Sequence, residues 1–519
     1  MTASSETSRS TFLPVQTIEK RFLSNENLRL LASGLFLSTA FLILFSLVQS
    51  GSAALVGTDG YYHARMGWLI REAGLKPPFI WLPMTILNEG SFYDHHLLYH
   101  LYLSLFSGVD PVLDGGQSLT FGVKLASIIL PSLTFIAVWW LLRSLNVRWA
   151  AIWSLGLFAV SEAFLYRLSM PRAQAASLLV LVVGLYCLFQ RRYWLLVPLG
   201  FVYVWLYDAF PLLLVLGAIY LVATWMTERR IEWKAVIFPG IGITLGLLIN
   251  PYFPENIAFI TSHLLPKIGE IETRVGNEWY PYETWTLVEN SGFALAAMTS
   301  GALAWGWRKE RMDRVALTIF LVTILFAVML FRSRRFVEYF PAFALIFAAI
   351  SFTPLIENWT ANRKKWNKLA PGILLVVLAL PIALTVSQAR DAVGRSKPAD
   401  LYAEAATWLH ENTPPGSLIF QTDWDDFTRL FFYSPNNLYT VGLDPTYMEL
   451  FDADLFEEWR QITRGKVERP SRIIRNRFGA SYVFSDFKHK DFMSVAAEDP
   501  LLVELYRDKY AVIYSVDQP

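Results

Sequence analysis

Long apolar runs separated by short polar clusters fill the first three quarters of the chain, and the last quarter alternates short helical and strand-like patterns. Crossing a hydrocarbon layer about 30 Å thick takes roughly 17–25 residues of helix. Windows near 30–50, 119–143, 148–164, 173–190, 192–208, 209–226, 235–250, 291–307, 314–331, 337–354 and 371–388 supply about eleven such spans. The pattern predicts a mainly α fold: a polytopic transmembrane helical domain over 30–388, preceded by an N-terminal segment over 1–29. A small soluble α/β domain follows over 389–519. In that domain Leu401–His410 reads as a helix, and Ser417–Gln421, Leu438–Val441, Tyr482–Ser485 and Ala511–Ser515 read as strands. A secretory signal is not expected, because the first apolar run begins near Leu28 and no small-residue cleavage pattern follows it.

Composition sharpens the division. Of 89 charged residues, 36 fall in the last 131 positions, about 27% there against about 14% in the first 388. The net charge of +1 gives no bulk field to recruit nucleic acid. The single cysteine, Cys187, rules out an intramolecular disulfide and a cysteine-cluster metal site.

Lys and Arg collect in alternate short loops: Lys20, Arg21 and Arg29; Arg143 and Arg148; Arg191 and Arg192; Arg229, Arg230 and Lys234; Arg308–Arg314; Arg363–Lys368. By the positive-inside rule these loops and the N-terminus are expected to be cytoplasmic, and the protein is expected in the cytoplasmic (inner) membrane. An odd number of spans then sends loops 51–118, 165–172 and 251–290, the Arg332–Arg335 turn and the C-terminal domain to the opposite face. The apolar piece Leu97–Phe106 is too short to span and is expected along the membrane surface.

Chemistry is expected on that outer face. Asp59 follows the first span and stands one helical turn from His63 in Asp59-Gly60-Tyr61-Tyr62-His63-Ala64-Arg65. A carboxylate there can act as general base toward a hydroxyl, or bind a divalent cation that steadies a phosphate; Thr58 or Asp59 also suits a helix cap. Asp94-His95-His96 and His100 bring three of the seven histidines together, a set open to metal ligation or to lipid-phosphate and sugar contact. Glu278 lies in an acidic and aromatic stretch, Val275–Trp285, of the kind that binds saccharides. Arg332, Arg334 and Arg335 are a basic cluster on the face where basic residues are rare, and guanidinium groups match phosphate oxygens. In the soluble domain, Asp423-Trp424-Asp425-Asp426 stands at the C-terminal end of the first strand, where such folds expose binding residues.

Taken in order, these segments resemble the GT-C superfamily of membrane glycosyltransferases, in particular the catalytic subunit of oligosaccharyltransferase. Asp59–Arg65 is similar to the family's acidic motif in the first external loop. Arg274-Val275-Gly276-Asn277-Glu278 resembles its Ser-Val-Ser-Glu motif through Glu278. Arg334-Arg335-Phe336-Val337-Glu338-Tyr339-Phe340 resembles its Arg-Arg-Phe-x-x-Tyr-Phe pattern. Trp408–Pro414 followed by Trp424-Asp425 is similar to the start of its soluble domain, where Trp-Trp-Asp-Tyr-Gly reads the acceptor hydroxyl. Two family features are missing: only Trp424 and Asp425 remain of that motif, and Leu168–Gln174 lacks the acidic pair that binds a divalent metal. The metal and any other cofactor therefore stay unassigned, and Arg172 offers a cation where the metal's charge would act.

The resemblance implies an inverting glycosyltransferase that takes a sugar from a polyprenyl-phosphate donor to an extracytoplasmic glycan, lipid or protein. Asp59 is the expected base, and Arg334, Arg335, Arg332 and Arg172 are the expected phosphate ligands. His63, Arg65, Asp94, His95, His96 and Glu278 are expected to orient substrate, and Trp424 and Asp425 to bind acceptor. A protein oligosaccharyltransferase is the near alternative. A lipid or sugar transporter is the distant one, with Lys124 and Asp208 near span ends rather than at mid-membrane.

Overall fold

A computed structural model describes residues 25–264, 276–307, 313–361 and 363–516. Lys20, Arg21, Arg274, Val275 and most of the Arg308–Arg314 cluster lie outside the described residues.

The chain is an integral membrane protein built mainly from helices. Six are long and apolar enough to cross a bilayer: Asn27–Gln49, Gln117–Ser144, Pro211–Glu228, Arg314–Arg332, Phe340–Ala361 and Lys368–Gly394. The other expected windows hold helices of different character. Gln174–Phe189, Tyr193–Leu206 and Lys234–Leu248 are apolar but shorter. Thr284–Gly306 has the length but carries Glu289, Asn290 and Ser291 in its second turn. The window near 148–164 is a broken pair, Ala150–Phe158 and Glu162–Leu168, bent by 84°. By length and composition alone, six helices among the described residues meet the requirement, or seven with the bent pair, so the expected count of about eleven is not confirmed.

Lys124, inside the Gln117–Ser144 helix, donates to the carbonyls of Gln49, Ser52 and Ala54. It thereby caps the end of the first span, whose last carbonyls have no partner within their own helix.

The Leu97–Ser104 helix buries Leu97, Tyr99, His100 and Leu103. Four buried side chains in eight residues make it part of the protein interior, where a surface-lying segment was expected.

The soluble domain carries a five-stranded sheet in the order β2-β1-β3-β5-β4. β1 (Leu418–Gln421) pairs in parallel with β2 (Leu438–Tyr439) and β3 (Tyr482–Asp486). β5 (Ala511–Val516) runs antiparallel to β3 and to β4 (Leu502–Arg507). Four strands match the sequence pattern. β4 does not show in it, because only one side of this edge strand is covered and its middle residues are exposed.

The two domains share one apolar core. Phe432 packs edge-on to Tyr61 at 5.2 Å, and the Arg429 guanidinium lies 4.0 Å over the Tyr61 ring. The Trp81 indole donates to the Pro435 carbonyl at 2.6 Å. The soluble domain is therefore docked on the first long loop, directly above Asp59.

Candidate functional site

The bend after Phe158 creates the site. Ser161 caps the Glu162–Leu168 helix by accepting from the Phe164 amide, which turns Arg167 and the following Met170–Arg172 turn toward Asp59. A Cβ on Gly60 would collide with the Pro171 ring, so glycine here lets the two segments meet. Arg172 then reaches the Asp59 carboxylate at 2.6 Å. Thr58 precedes the helix but does not cap it with its side chain; its hydroxyl donates to Asp425 at 2.8 Å instead.

Glu278 is the hub of an ion-pair network. Its carboxylate accepts from Arg167 and Arg172, both at 2.8 Å, and lies 3.6 Å from Arg335. Arg167 also donates to buried Glu338 at 2.6 Å. Arg335 donates to the Tyr207 hydroxyl at 2.6 Å and lies 4.8 Å over the Trp279 ring. Burial alone would raise the Glu278 carboxyl, but Arg172, Arg335 and Arg167 outweigh it and hold the group well below its usual 4.5. Asp59 goes the other way: burial raises it, Glu278 and Asp425 add to that, and Arg172 only partly offsets them.

The histidines of the first loop form a second network. His100 bridges Asp94 and His63 with contacts of 2.7 Å on each side. The other Asp94 oxygen accepts from the His96 amide at 3.0 Å. The His96 ring stacks on Tyr207 at 5.5 Å, and that of His95 on Phe259 at 5.2 Å.

Both networks face one cavity of about 360 Å³ between the helices and the soluble domain. Of the expected residues, Asp59, His63, His95, His96, Arg172, Glu278 and Arg335 line it. Asp94 stands behind His100, buried.

Five expected residues have other positions. Arg65 is 1% exposed, bonded to Asp110 at 2.8 Å and stacked 4.4 Å over Trp68, so it braces the loop instead of facing the cavity. Arg334 donates to the Pro281 carbonyl and lines a separate cleft with Glu162, Arg167 and Arg395. Arg332 ends its helix on the exposed surface. Asp425 accepts from Thr58 and from Lys397 at 3.0 Å. Trp424 opens onto a different cleft of about 630 Å³, shared with Asp423, Trp459 and His489.

The cavity also uses residues that the sequence did not single out as ligands, among them Tyr207, Asp208, Asp444 and Tyr447, with Arg167 in the wall behind Glu278. Arg167 carries a signal that was available: like Arg335, it is a basic residue in a loop that the positive-inside pattern assigns to the opposite face from the other basic loops.

No family model matches the chain. A curated relative, dolichyl-phosphooligosaccharide-protein glycotransferase 3 of Archaeoglobus fulgidus, is 23% identical over 251 residues, covering 40% of this chain and 28% of the relative. Among solved structures, the oligosaccharyltransferase AglB of Archaeoglobus fulgidus, in complex with an inhibitory peptide and a dolichol-phosphate, superposes with a TM-score of 0.63. It is 12% identical, and the match covers 93% of this chain and 74% of that one. ArnT of Cupriavidus metallidurans, bound to undecaprenyl phosphate, gives a TM-score of 0.57 at 16% identity, covering 93% of this chain and 99% of that one. The fold is that of the GT-C glycosyltransferases.

One structure with the GT-C fold, the Archaeoglobus fulgidus oligosaccharyltransferase, is a complex with Zn and sulfate. The donor set around Asp59 does not fit such an ion. Its carboxylate is held by the Arg172 guanidinium, and the turn Ser169–Arg172 supplies no acidic side chain. Among the described residues, one group brings three ligand atoms within 4.8 Å of one another: Asp423, Asp486 and His489, in the soluble domain. There Lys488 already pairs with Asp486 at 3.0 Å.

Proposed function

We propose that the protein is a membrane glycosyltransferase that moves a sugar from a polyprenyl-phosphate donor to an acceptor on the extracytoplasmic face. The observation that carries this reading is the juxtaposition, in one roofed cavity, of a carboxylate with a raised pKa, Asp59, and two guanidinium groups, Arg172 and Arg335. The GT-C fold supports the class of reaction, and the polyprenyl phosphates bound by AglB and ArnT support the class of donor.

In this reading Arg335 and Arg172 receive the donor phosphate and stabilise the charge it gains on leaving. Glu278 keeps both guanidinium groups in place. The acceptor hydroxyl approaches the sugar's anomeric carbon opposite the phosphate. Its O–H proton passes to Asp59 as the new C–O bond forms and the C–O bond to phosphate breaks, with inversion at that carbon. A carboxyl raised toward neutrality is suited to such a transfer.

A protein acceptor would depend on Trp424 and Asp425. Asp425 is bonded to Thr58 and Lys397, so the reading favours a glycan or lipid acceptor. The N-terminus is cytoplasmic and the membrane is the inner one, as the positive-inside pattern implies.

The test is sugar transfer by purified protein from synthetic polyprenyl-phosphate sugars to an extract of envelope glycans and lipids. Asp59→Asn is expected to lower transfer at least about 100-fold, the usual scale for a general base. Undiminished transfer by this variant refutes the assignment.

A further inference from the structure

Asp94, His100 and His63 are 1%, 0% and 4% exposed, and they form a line ending at the cavity. The hydrogen positions in this line follow from donor and acceptor counts. Asp94 accepts on both oxygens, from the His96 amide and from His100 Nδ1, so Nδ1 of His100 carries a hydrogen. With that hydrogen as the only one on its ring, His100 is left with a bare Nε2. That nitrogen lies 2.7 Å from His63 Nδ1, which must then donate. A neutral His63 is left with a bare Nε2. Among the described residues this nitrogen has no hydrogen-bond partner, nor is it sealed from the cavity that His63 lines. Burial holds the His63 imidazole well below its usual 6.5, and so neutral, and the Arg172 guanidinium adds to this.

We infer that the Asp94–His100–His63 line locks His63 in one tautomer and presents its bare Nε2 to the cavity as the acceptor for a hydroxyl of the bound saccharide or of the incoming acceptor. The nature of that hydroxyl rests on the proposed function; the tautomer does not. A phosphate oxygen is itself an acceptor and is repelled by a bare nitrogen. The cavity therefore has two chemically distinct walls: Arg172 and Arg335 for phosphate, and His63 for a hydrogen donor. Donor sugars would be oriented by this polarity, with phosphate toward the guanidinium groups and hydroxyls toward the imidazole. Asp94 and His100 are positioning residues, since they act through His63.

The test is magic-angle-spinning nitrogen NMR of the full chain, labelled at its seven histidines and held in phosphatidylglycerol vesicles at neutral pH. His63→Gln identifies the signal. The expected result is a neutral ring with hydrogen on Nδ1 and none on Nε2, unchanged when undecaprenyl phosphate is added. Hydrogen on Nε2, or an imidazolium formed when undecaprenyl phosphate binds, overturns the inference. His100→Phe should release His63 into a mixture of tautomers, whereas His96→Gln should not. If His100→Phe does not fold, the spectrum of the unaltered chain decides alone. A protein with the expected tautomer but no glycosyl transfer would overturn the proposed function and leave the tautomer assignment standing.

Discussion

Replacing Glu278 with Gln removes the one negative charge that Arg167, Arg172 and Arg335 share, while keeping the side chain's shape and an accepting oxygen. Two contacts of 2.8 Å change from charge-assisted to neutral acceptors. A hydrogen bond to a charged group contributes about 1.5–3 kcal/mol and a neutral one about 0.5–1.5 kcal/mol, so the pair loses about 2–3 kcal/mol. The longer contact to Arg335 is left out of that figure. The loss falls on the segment from Gly276 to Glu283, which is otherwise fastened by Ser333 to the Glu278 carbonyl and by the Arg334 amide to the Tyr280 carbonyl. Amide exchange in the peptides carrying Trp279, Tyr280 and Arg334 should therefore accelerate roughly 30- to 150-fold in Glu278→Gln, at about 1.4 kcal/mol per tenfold.

The pH dependence has a definite sign. The folded pKa of Glu278 lies well below 4.5, so its contribution is fully present above 4.5 and is lost only as pH falls through the depressed folded value. Protection in the unaltered chain should then stay level from neutrality to about pH 5, after correction for intrinsic exchange, while the variant is fast throughout. Hydrogen–deuterium exchange with mass spectrometry on the purified full chain reads both. An acceleration under about threefold would refute the claim that this carboxylate holds the segment in place.

Arg335→Lys keeps the charge but cannot reproduce the fork that meets Tyr207 and stacks on Trp279; undecaprenyl phosphate should bind about 10- to 100-fold more weakly by titration calorimetry. Arg334→Lys, outside the cavity, should leave that affinity within about twofold. Arg65→Met breaks the pair with Asp110 and should cost about 3 kcal/mol, seen as a lower melting temperature, with undecaprenyl phosphate affinity unchanged. Asp426 is 1% exposed, neither of its oxygens has a well-formed hydrogen bond, and burial with Asp423 and Asp486 raises it well above 3.8. Its folded form holds the proton more tightly than the unfolded form, so stability falls as pH rises above 3.8. Asp426→Asn should melt higher than the unaltered chain at neutral pH, by about 1–3 kcal/mol of stability, with the difference gone near pH 4.

Much of this was legible in the chain because it depends on local order. Apolar run length marks a membrane domain, the jump in charge density near residue 389 marks a soluble one, and alternation marks four of the five strands. Asp59, Glu278 and Arg335 stood out for the same reason: each is a polar residue in a short motif next to a span. Tertiary structure decided what a one-dimensional pattern cannot carry. Neighbouring residues of one basic cluster went to different places, Arg335 to the cavity and Arg334 to another cleft, because consecutive residues of a short helical turn point in different directions. Arg65, two residues after the cavity histidine His63 on the same helix, was taken by Asp110 across the loop. The histidine line spans 37 positions, from His63 to Asp94 and His100, and only the packing of the Leu97–Ser104 helix on the Asp59–Ala73 helix closes it. Sequence determined which groups were available and where they stand relative to the apolar segments along the chain. Folding determined which of them share a cavity, since pairing a buried charge requires a partner that the chain supplies from far away.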